Sequence, residues 1–353
     1  MNHASRVARL RETLTRPLLI TSPANIRYLT GFAGSNGFVV AAPDSFVFIT
    51  DGRYGEAAEP LVAAIPDAEL VVYTTGMNAT IAAALGPAND VDVEAAHITW
   101  DAQRSLAKVA HAELHPTVGI VEELRMVKAA AEVNAVRAAC AAGDAAFEEL
   151  DSMANSVTTE AELGWALIDA MRAAGGTAAG WEPIVAIGSN ASVPHHRSGS
   201  GDIVDGLLLL DYGCEVDGYH SDMSRTVWRG PGRDGDMEGV YEAVRESQAA
   251  GVAAVRPGAV AGDVDAACRK VLDAAGYLEY FIHSTGHGVG LEIHEAPWIR
   301  ADSDDVLQEG HILTVEPGVY LPGRGGVRIE DTVVVTSDGC TNLTLSNKEF
   351  HLT

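Results

Sequence analysis

The sequence predicts an α/β fold in its first part and a mixture of helices and strands in its second, and two patterns support this. Through about residue 120, short runs rich in β-branched residues alternate with alanine-rich helical stretches. Beyond that point, an order of two helical segments and a strand-like run occurs twice. The 353 residues, 47% of them hydrophobic, are enough for two cores. We expect domains at residues 1–120 and 121–353.

The first part opens with a basic segment that lacks the apolar region of a signal peptide. It predicts an amphipathic helix that ends before Pro17. Strand-like runs follow at residues 18–21, 37–40 and 46–50. The boundary is expected at residues 116–121, ahead of a long helix through residues 129–137.

The second part contains four helical segments, which lie near residues 127–153, 159–174, 237–254 and 262–275. The first two precede a strand-like run at 184–187, and the last two precede a glycine-rich loop. Their alanine tracts keep apolar residues at helical spacing, which favours helix over low-complexity disorder.

Two aspartates flank the strongest turn signal in the chain. Asp217-Gly218 has the residues preferred in a two-residue hairpin loop. Counting outward pairs Asp211 with Ser224 and makes Asp222 a diagonal neighbour of Asp211, roughly 7–8 Å away, so both carboxylates can reach one metal pair. A solvated hairpin face is the alternative. However, four leucines lead into Asp211, and a carboxylate ending a buried strand is costly unless it is paired or metal-bound.

A second acid pair repeats this arrangement. Glu316 ends a strand-like run that enters a Pro/Gly-rich connection, and Glu330 lies in the run that leaves it. We expect Glu330 on a buried strand, with Arg328 on the same side to neutralise or orient it.

Three histidines, His283, His287 and His294, lie in the loop between the acid pairs. The glycines that alternate through residues 286–290 argue against the helical zinc motif, and they let an imidazole approach a site closely. A single histidine is more often a core or surface residue than a ligand, but three between two acid pairs favour a site.

These residues, with segments 25–32, 50–54 and 123–128, resemble one family along nearly the whole chain. The chain is similar to the pita-bread metallopeptidases, in particular to their aminopeptidase P and prolidase branch. The resemblance implies an α/β creatinase-type N-terminal domain and an α+β pita-bread (creatinase/aminopeptidase) catalytic domain. It also implies hydrolysis of the Xaa-Pro bond at the N-terminus of proline-containing peptides.

The resemblance further implies two divalent metal ions, and the ligands would be Asp211, Asp222, His287, Glu316 and Glu330. This hard, oxygen-rich donor set favours Mn²⁺, with Co²⁺ or Zn²⁺ as alternatives.

Catalytic roles follow from the same resemblance. Glu316 would also move the proton, and Arg328 would lie behind the ligands. His283 and His294 would stabilise the oxyanion and the peptide carbonyl. His195 would close over the substrate, whereas the neighbouring His196 is expected to be a structural or surface residue.

The resemblance leaves the length of the substrate open. A prolidase needs a positive group for the free carboxylate of a dipeptide, whereas an aminopeptidase leaves that side open. Trp298 stands where an archaeal-type prolidase is expected to have an arginine, which favours the aminopeptidase even with Arg300 close by. Trp298 is either a wall for the proline ring or core packing. The complete ligand set disfavours a non-catalytic binding protein and a metal-free creatinase, and the N-terminal domain disfavours methionine aminopeptidase.

Composition sets further expectations. The formal net charge of −25 disfavours a nucleic-acid partner. The four cysteines lack metal-binding or disulfide spacing and are expected to be reduced, and no run is long enough for a membrane span. We expect a cytoplasmic enzyme, and the resemblance implies a homodimer whose N-terminal domain borders the partner's site.

Overall fold

The structure is a computed structural model that describes residues 1–232 and 234–352. It divides into two compact units, Met1–Arg125 and Met126–Thr353. Within the described residues, no helix combines the length and the apolar character that a membrane crossing requires.

The first unit is built on a six-stranded mixed sheet. Its helices are α1 (His3–Thr13), α2 (Pro23–Thr30), α3 (Gly55–Ala63), α4 (Met77–Leu85), α5 (Trp100–Ala107) and α6 (Ile120–Met126). Its strands are β1 (Leu18–Ile20), β2 (Gly37–Ala42), β3 (Ser45–Asp51), β4 (Ala68–Tyr73), β5 (Asp90–Glu94) and β6 (Glu113–Thr117), in the spatial order β4-β3-β2-β1-β5-β6. The α/β expectation is confirmed, including the helix that ends before Pro17 and the three expected strands.

Local chemistry explains where α2 begins and ends. The Ser22 side chain accepts a hydrogen bond from the Asn25 N–H, and Pro23 occupies the first helical turn. Gly31 ends the helix with a φ of 79°, a conformation that favours glycine.

In its described residues, the second unit combines five α-helices with short strands in four sheets. The helices are α7 (Ala130–Glu148), α8 (Leu150–Ser156), α9 (Glu160–Ala173), α10 (Gly235–Ala254) and α11 (Ala261–Ala274). The strands are β7 (Ala178–Ala179), β8 (Ile184–Ile187), β9 (Gly206–Tyr212), β10 (Cys214–Val216), β11 (Tyr219–His220), β12 (Met223–Arg229), β13 (Gly286–Gly288), β14 (Glu295–Ile299), β15 (Ile312–Val315), β16 (Gly318–Leu321), β17 (Gly325–Arg328), β18 (Asp331–Val335) and β19 (Cys340–Asn342). The sheets have the orders β11-β10-β7, β12-β9-β8, β14-β13-β15-β18-β19 and β16-β17.

The expected helices of this unit are present, with one difference. The segment near 127–153 is two helices, because Glu149 leaves the helical region with φ −89° and ψ 2°. The helices expected at 159–174, 237–254 and 262–275 correspond to α9, α10 and α11, and all four cysteines are free thiols.

The leucine run before Asp211 forms a strand that is buried on both faces. Leu208 and Leu210 pack into a cluster with residues of α7 and α9, and Leu207 and Leu209 pack into another with residues of α10. Strand β9 therefore delivers Asp211 at the end of a fully apolar segment.

Candidate metal centre

The aspartate hairpin has the predicted register. Val216 pairs with Tyr219, and Asp211 pairs with Ser224. Asp217 and Gly218 have φ values of 52° and 85°, as the preferred two-residue turn requires. The turn thus sets the strand pairing that places Asp211 and Asp222 side by side.

The second acid pair differs from expectation at one position. Glu316 directly follows β15, but Glu330 lies in a two-residue break between β17 and β18 rather than on a strand. The break exists because β17 pairs with β16, whereas β18 pairs with β15, so the chain changes sheets there. Glu330 is buried, and its N–H donates to the carbonyl of Ser224 at 3.1 Å.

These strands bring the expected ligands together. Ligand atoms of Asp222, His287 and Glu330 lie within 4.8 Å of one another. His287 Nε2 lies 3.3 Å from Glu316 Oε1 and 3.6 Å from Asp222 Oδ2. Asp211 is close enough that its negative charge raises the pKa of Asp222 and of Glu330.

The four acids repel one another in a site that is mostly buried. Burial raises the pKa of Asp222 and of Glu330 well above the ordinary carboxyl value, and the other acids of the cluster raise both further. Burial also raises the pKa of Asp211. Glu316 differs, because the hydrogen bond and charge of His287 outweigh its burial and lower its pKa to about 2. A bound cation would therefore stabilise this cluster of acids.

The orientation of His287 fits a metal ligand. Its Nδ1 lies 3.0 Å from the carbonyl oxygen of Gly288 and therefore carries the ring proton, because a carbonyl only accepts. When the ring is charged, Nε2 donates to Glu316 at 3.3 Å and so lowers the pKa of that acid; when a divalent ion takes the place of this proton, the Nε2 lone pair faces the ion. A backbone carbonyl behind the ring is the usual support of a metal-binding histidine.

Two carboxylate oxygens point to the same conclusion. Asp211 Oδ1 and Glu330 Oε1 are buried and have no hydrogen-bond partner among the described residues. Buried carboxylate oxygens without a partner are expensive, and divalent cations satisfy them. The residues present thus fit a divalent metal centre.

Burial and the neighbouring acids raise the pKa of Glu330, and the charge of Arg328 opposes them as expected, but the direct ion pair of Arg328 is with Asp211. The Arg328 Nη2 lies 2.5 Å from Asp211 Oδ2. The guanidinium also donates to Ser224 Oγ at 2.8 Å and to Tyr320 Oη at 2.7 Å. Glu330 is held instead by Ser224 Oγ, which donates to its Oε2 at 2.8 Å.

The three histidines expected on the substrate side have unequal surroundings. His283 Nδ1 faces the carbonyl of Ser284 at 2.7 Å, and its Nε2 lies 2.9 Å from Tyr320 Oη. Since the Nδ1 proton is committed to the carbonyl, Nε2 of the neutral ring accepts from Tyr320. Among the described residues, the nitrogens of His195 and His294 have no hydrogen-bond partner, and both side chains are exposed. The His294 ring lies against His287, with centroids 4.4 Å apart.

Sequence reasoning missed two residues that support the cluster. Tyr320 joins Arg328 to His283, and Thr314 Oγ1 donates to Glu316 Oε1 at 3.2 Å. Thr314 lies on β15 two residues before Glu316, and this spacing was a usable signal. Tyr320 gave none, because its contacts come from residues brought close only by the fold.

Trp298 lies on β14 directly opposite His287 in the strand pairing and keeps 38% of its surface exposed. Residues paired in this way place their side chains on one face of a sheet. Trp298 is therefore not a core residue. Arg300 is turned to the acid at position 302, with Nε 3.0 Å from Asp302 Oδ1.

Comparison with known proteins agrees with this geometry. The model of metallopeptidase family M24 matches residues 134–337, and that of the creatinase/prolidase N-terminal domain matches residues 6–127. The uncharacterised peptidase YqhT of Bacillus subtilis is 37% identical over 337 residues, 94% of each chain.

Two solved structures are similar over almost the whole chain. The Xaa-Pro dipeptidase from Bacillus anthracis has a TM-score of 0.94 at 35% identity and covers 99% of this chain and 100% of its own. The X-Pro aminopeptidase from Thermotoga maritima has a TM-score of 0.87 at 28% identity, covering 98% and 100%. The chain therefore belongs to metallopeptidase family M24, with a creatinase-type N-terminal domain, a pita-bread catalytic domain and Xaa-Pro peptidases among its relatives.

Proposed function

We propose that the chain is a dinuclear metal-dependent aminopeptidase that hydrolyses the Xaa-Pro bond at the N-terminus of peptides. The ions would be held by Asp211, Asp222, His287, Glu316 and Glu330. The observation that carries this proposal is the cluster of four acids around one imidazole, with two buried carboxylate oxygens that have no hydrogen-bond partner in the described part of the chain. The hard donor set favours Mn²⁺.

Bound ions would lower the pKa of an attacking water and polarise the scissile carbonyl. Glu316 has 16% of its side chain exposed, so a water molecule can reach its carboxylate. It can take the proton from the water and pass it to the proline nitrogen as the bond breaks. A tertiary amide offers no N–H to hold, so transfer of this proton matters for the leaving group.

The three histidines would have different roles in hydrolysis. His294 and His195 have ring nitrogens that are available to donate to the substrate carbonyl and to the oxyanion as negative charge develops. His283 is engaged by Tyr320 and by the Ser284 carbonyl, so it would fix the Tyr320 hydroxyl beside Arg328.

The face around Trp298 favours an aminopeptidase over a dipeptidase. Trp298 presents an aromatic surface on the same face as His287, which suits a proline ring and leaves the far end of a peptide open. Arg300, the nearby candidate for holding a free carboxylate, is already beside Asp302. The second candidate is an Xaa-Pro dipeptidase, which the similarity to the Bacillus anthracis protein favours.

The test is hydrolysis of Ala-Pro and Ala-Pro-Ala by metal-stripped protein after Mn²⁺ is added back, followed through released alanine. Cleavage of the tripeptide supports the aminopeptidase. Cleavage of the dipeptide alone supports the second candidate. No cleavage of either with Mn²⁺, Co²⁺ or Zn²⁺ contradicts the proposed activity.

A further inference from the structure

A buried carboxylate outside the metal centre is hydrogen-bonded to the segment that carries His195. Glu160, the first residue of α9, is 1% exposed. Its Oε1 accepts hydrogen bonds from the Ile187 N–H at 2.9 Å and from Asn190 Nδ2 at 2.8 Å. Both donors lie before His195 in the chain.

The other oxygen holds the chain after His195. Oε2 lies 2.8 Å from His196 Nε2 and 3.5 Å from the N–H of Gly199. Because an ionised carboxylate only accepts, His196 Nε2 carries the proton of this contact. The Glu160 N–H also donates to the carbonyl of Gly201 at 2.9 Å. The Glu160 side chain is therefore hydrogen-bonded to the chain on both sides of His195.

The Glu160 carboxylate is closely packed against the loop that carries His195. A Cβ added at Gly201 would lie 2.9 Å from Glu160 Oε2. Burial raises the pKa of Glu160, but hydrogen bonds, first from Asn190 and then from His196, outweigh it and lower the pKa. The group is thus an anion at neutral pH, and bonds to a charged acceptor are stronger than neutral ones.

The loop also contacts Arg328, which is bonded to one of the proposed ligands. The carbonyl of Pro194 accepts from Arg328 Nη1 at 3.4 Å, and Arg328 holds Asp211. His195 itself has no hydrogen bond to a described residue, so its position depends on the backbone on either side.

We propose that Glu160 is a positioning residue for peptide hydrolysis, which acts by anchoring the loop 187–201 so that His195 faces the substrate. This inference rests on the proposed function. Glu160 does not touch the ligands or the substrate; it fixes where His195 stands. A displacement of about 1 Å in a substrate-side group can lower a rate by on the order of 10²-fold.

A double-mutant cycle tests this. Glu160→Ala is expected to lower kcat for the proline tripeptide on the order of 10²-fold while Mn²⁺ content stays at the wild-type level. In the His195→Ala background, Glu160→Ala should lower kcat little further, because the imidazole that Glu160 positions is already absent. The proposal would be overturned if the losses of kcat in the two single variants multiplied in the double variant. It would also be overturned if Glu160→Ala kept the wild-type kcat.

Two further variants separate positioning from general destabilisation. Glu162→Gln, on the same helix, removes a carboxylate that accepts from the Thr158 and Thr159 N–H groups and does not contact the loop, so kcat should be unchanged. Glu160→Gln keeps Oε1, and its amide can donate to the other tautomer of His196, so most of kcat should return. If Glu160→Ala does not fold, His196→Ala, which removes only the later anchor, should still lower kcat.

Hydrogen exchange supplies a readout that needs no turnover. Amides of residues 187–201 should exchange faster in Glu160→Ala than in wild type or Glu162→Gln. Unchanged exchange in this segment would overturn the anchoring, even if the protein proved inactive on proline peptides. Faster exchange with an inactive wild type would instead refute the proposed function and leave the anchoring supported.

Discussion

Arg328 and Asp211, 117 positions apart in the sequence, meet in an ion pair with 2.5 Å between Nη2 and Oδ2. The two other arms of the guanidinium reach Ser224 Oγ and Tyr320 Oη. Because the guanidinium is a rigid fork, these contacts fix the angle at which the Asp211 carboxylate enters the metal centre.

Arg328→Lys should weaken the metal centre, because an ammonium cannot hold Asp211, Ser224 and Tyr320 in one plane. We expect a loss of about 10–100-fold in metal affinity or kcat, the range for residues that support a ligand. Metal content and initial rates measure this. Tyr320→Phe removes one contact of the three and should cost less, and full metal binding and turnover in Arg328→Lys would contradict the assignment.

Glu316→Gln and Asp222→Asn should separate catalysis from metal binding. Glu316→Gln removes the proposed proton carrier and should abolish hydrolysis with little change in the fold. Asp222→Asn weakens one of the buried proposed ligands and should lower Mn²⁺ content together with activity. Elemental analysis beside rate measurements distinguishes them. Near-full turnover in either variant would refute the two-metal assignment.

The buried ion pair of Lys128 and Glu295 should matter more for stability than a surface pair. Nζ and Oε1 are 2.7 Å apart, and the side chains are 1% and 7% exposed. Lys128→Met deprives the buried Glu295 carboxylate of this cation and should cost about 3–5 kcal/mol, much of which Lys128→Met with Glu295→Gln should recover.

The matched control is the exposed pair of Arg245 and Glu242. Arg245→Met should cost less than about 1 kcal/mol. Urea unfolding of the variants gives these values. A cost for Lys128→Met no larger than that of the control would show that the buried pair does not stabilise the fold.

His311 should make the protein sensitive to mild acid. It is 2% exposed, its Nδ1 accepts from the Gln308 N–H at 3.3 Å, and its Nε2 has no partner among the described residues. Burial, and then the charge of Lys128, lower its pKa to about 4. The unfolded chain therefore takes up this proton first, and stability that is complete above about pH 6.5 is lost as the pH falls towards 4.

Comparison with His311→Asn isolates this contribution, because the amide oxygen can still accept from the Gln308 N–H. Between pH 7 and pH 4.5 the free energy of unfolding of wild type should fall by on the order of 2 kcal/mol more than that of the variant. Parallel curves would mean that His311 does not titrate as described.

Local signals predicted much of the site, and pairing between distant segments decided the rest. Asp217-Gly218 fixed the register of Asp211, because the turn type determines which residues face each other. The break at Glu330 was not predictable, because it arises where the chain leaves β16 and joins β15. Spacing within one strand likewise predicted Glu330 as the partner of Arg328, whereas the fold supplies Asp211.

Glu160 shows a different limit of sequence reasoning. An acid in the first turn of a helix is common, because it interacts favourably with the helix dipole. Nothing in its immediate sequence distinguishes Glu160 from Glu162 two residues later, although one is buried under a loop and the other caps the helix. Only the position of residues 187–201 reveals the difference.

The distribution of the proposed ligands along the chain has a consequence for biosynthesis. Asp211 and Asp222 are translated first, and Glu330 follows Asp211 by 119 residues (330 minus 211). A nascent chain that has not reached Glu330 has the two aspartates but an incomplete donor set. On the ribosome, the enzyme would therefore acquire its ions, and with them the ability to cut peptides, only late in translation, after its N-terminal unit has had time to fold.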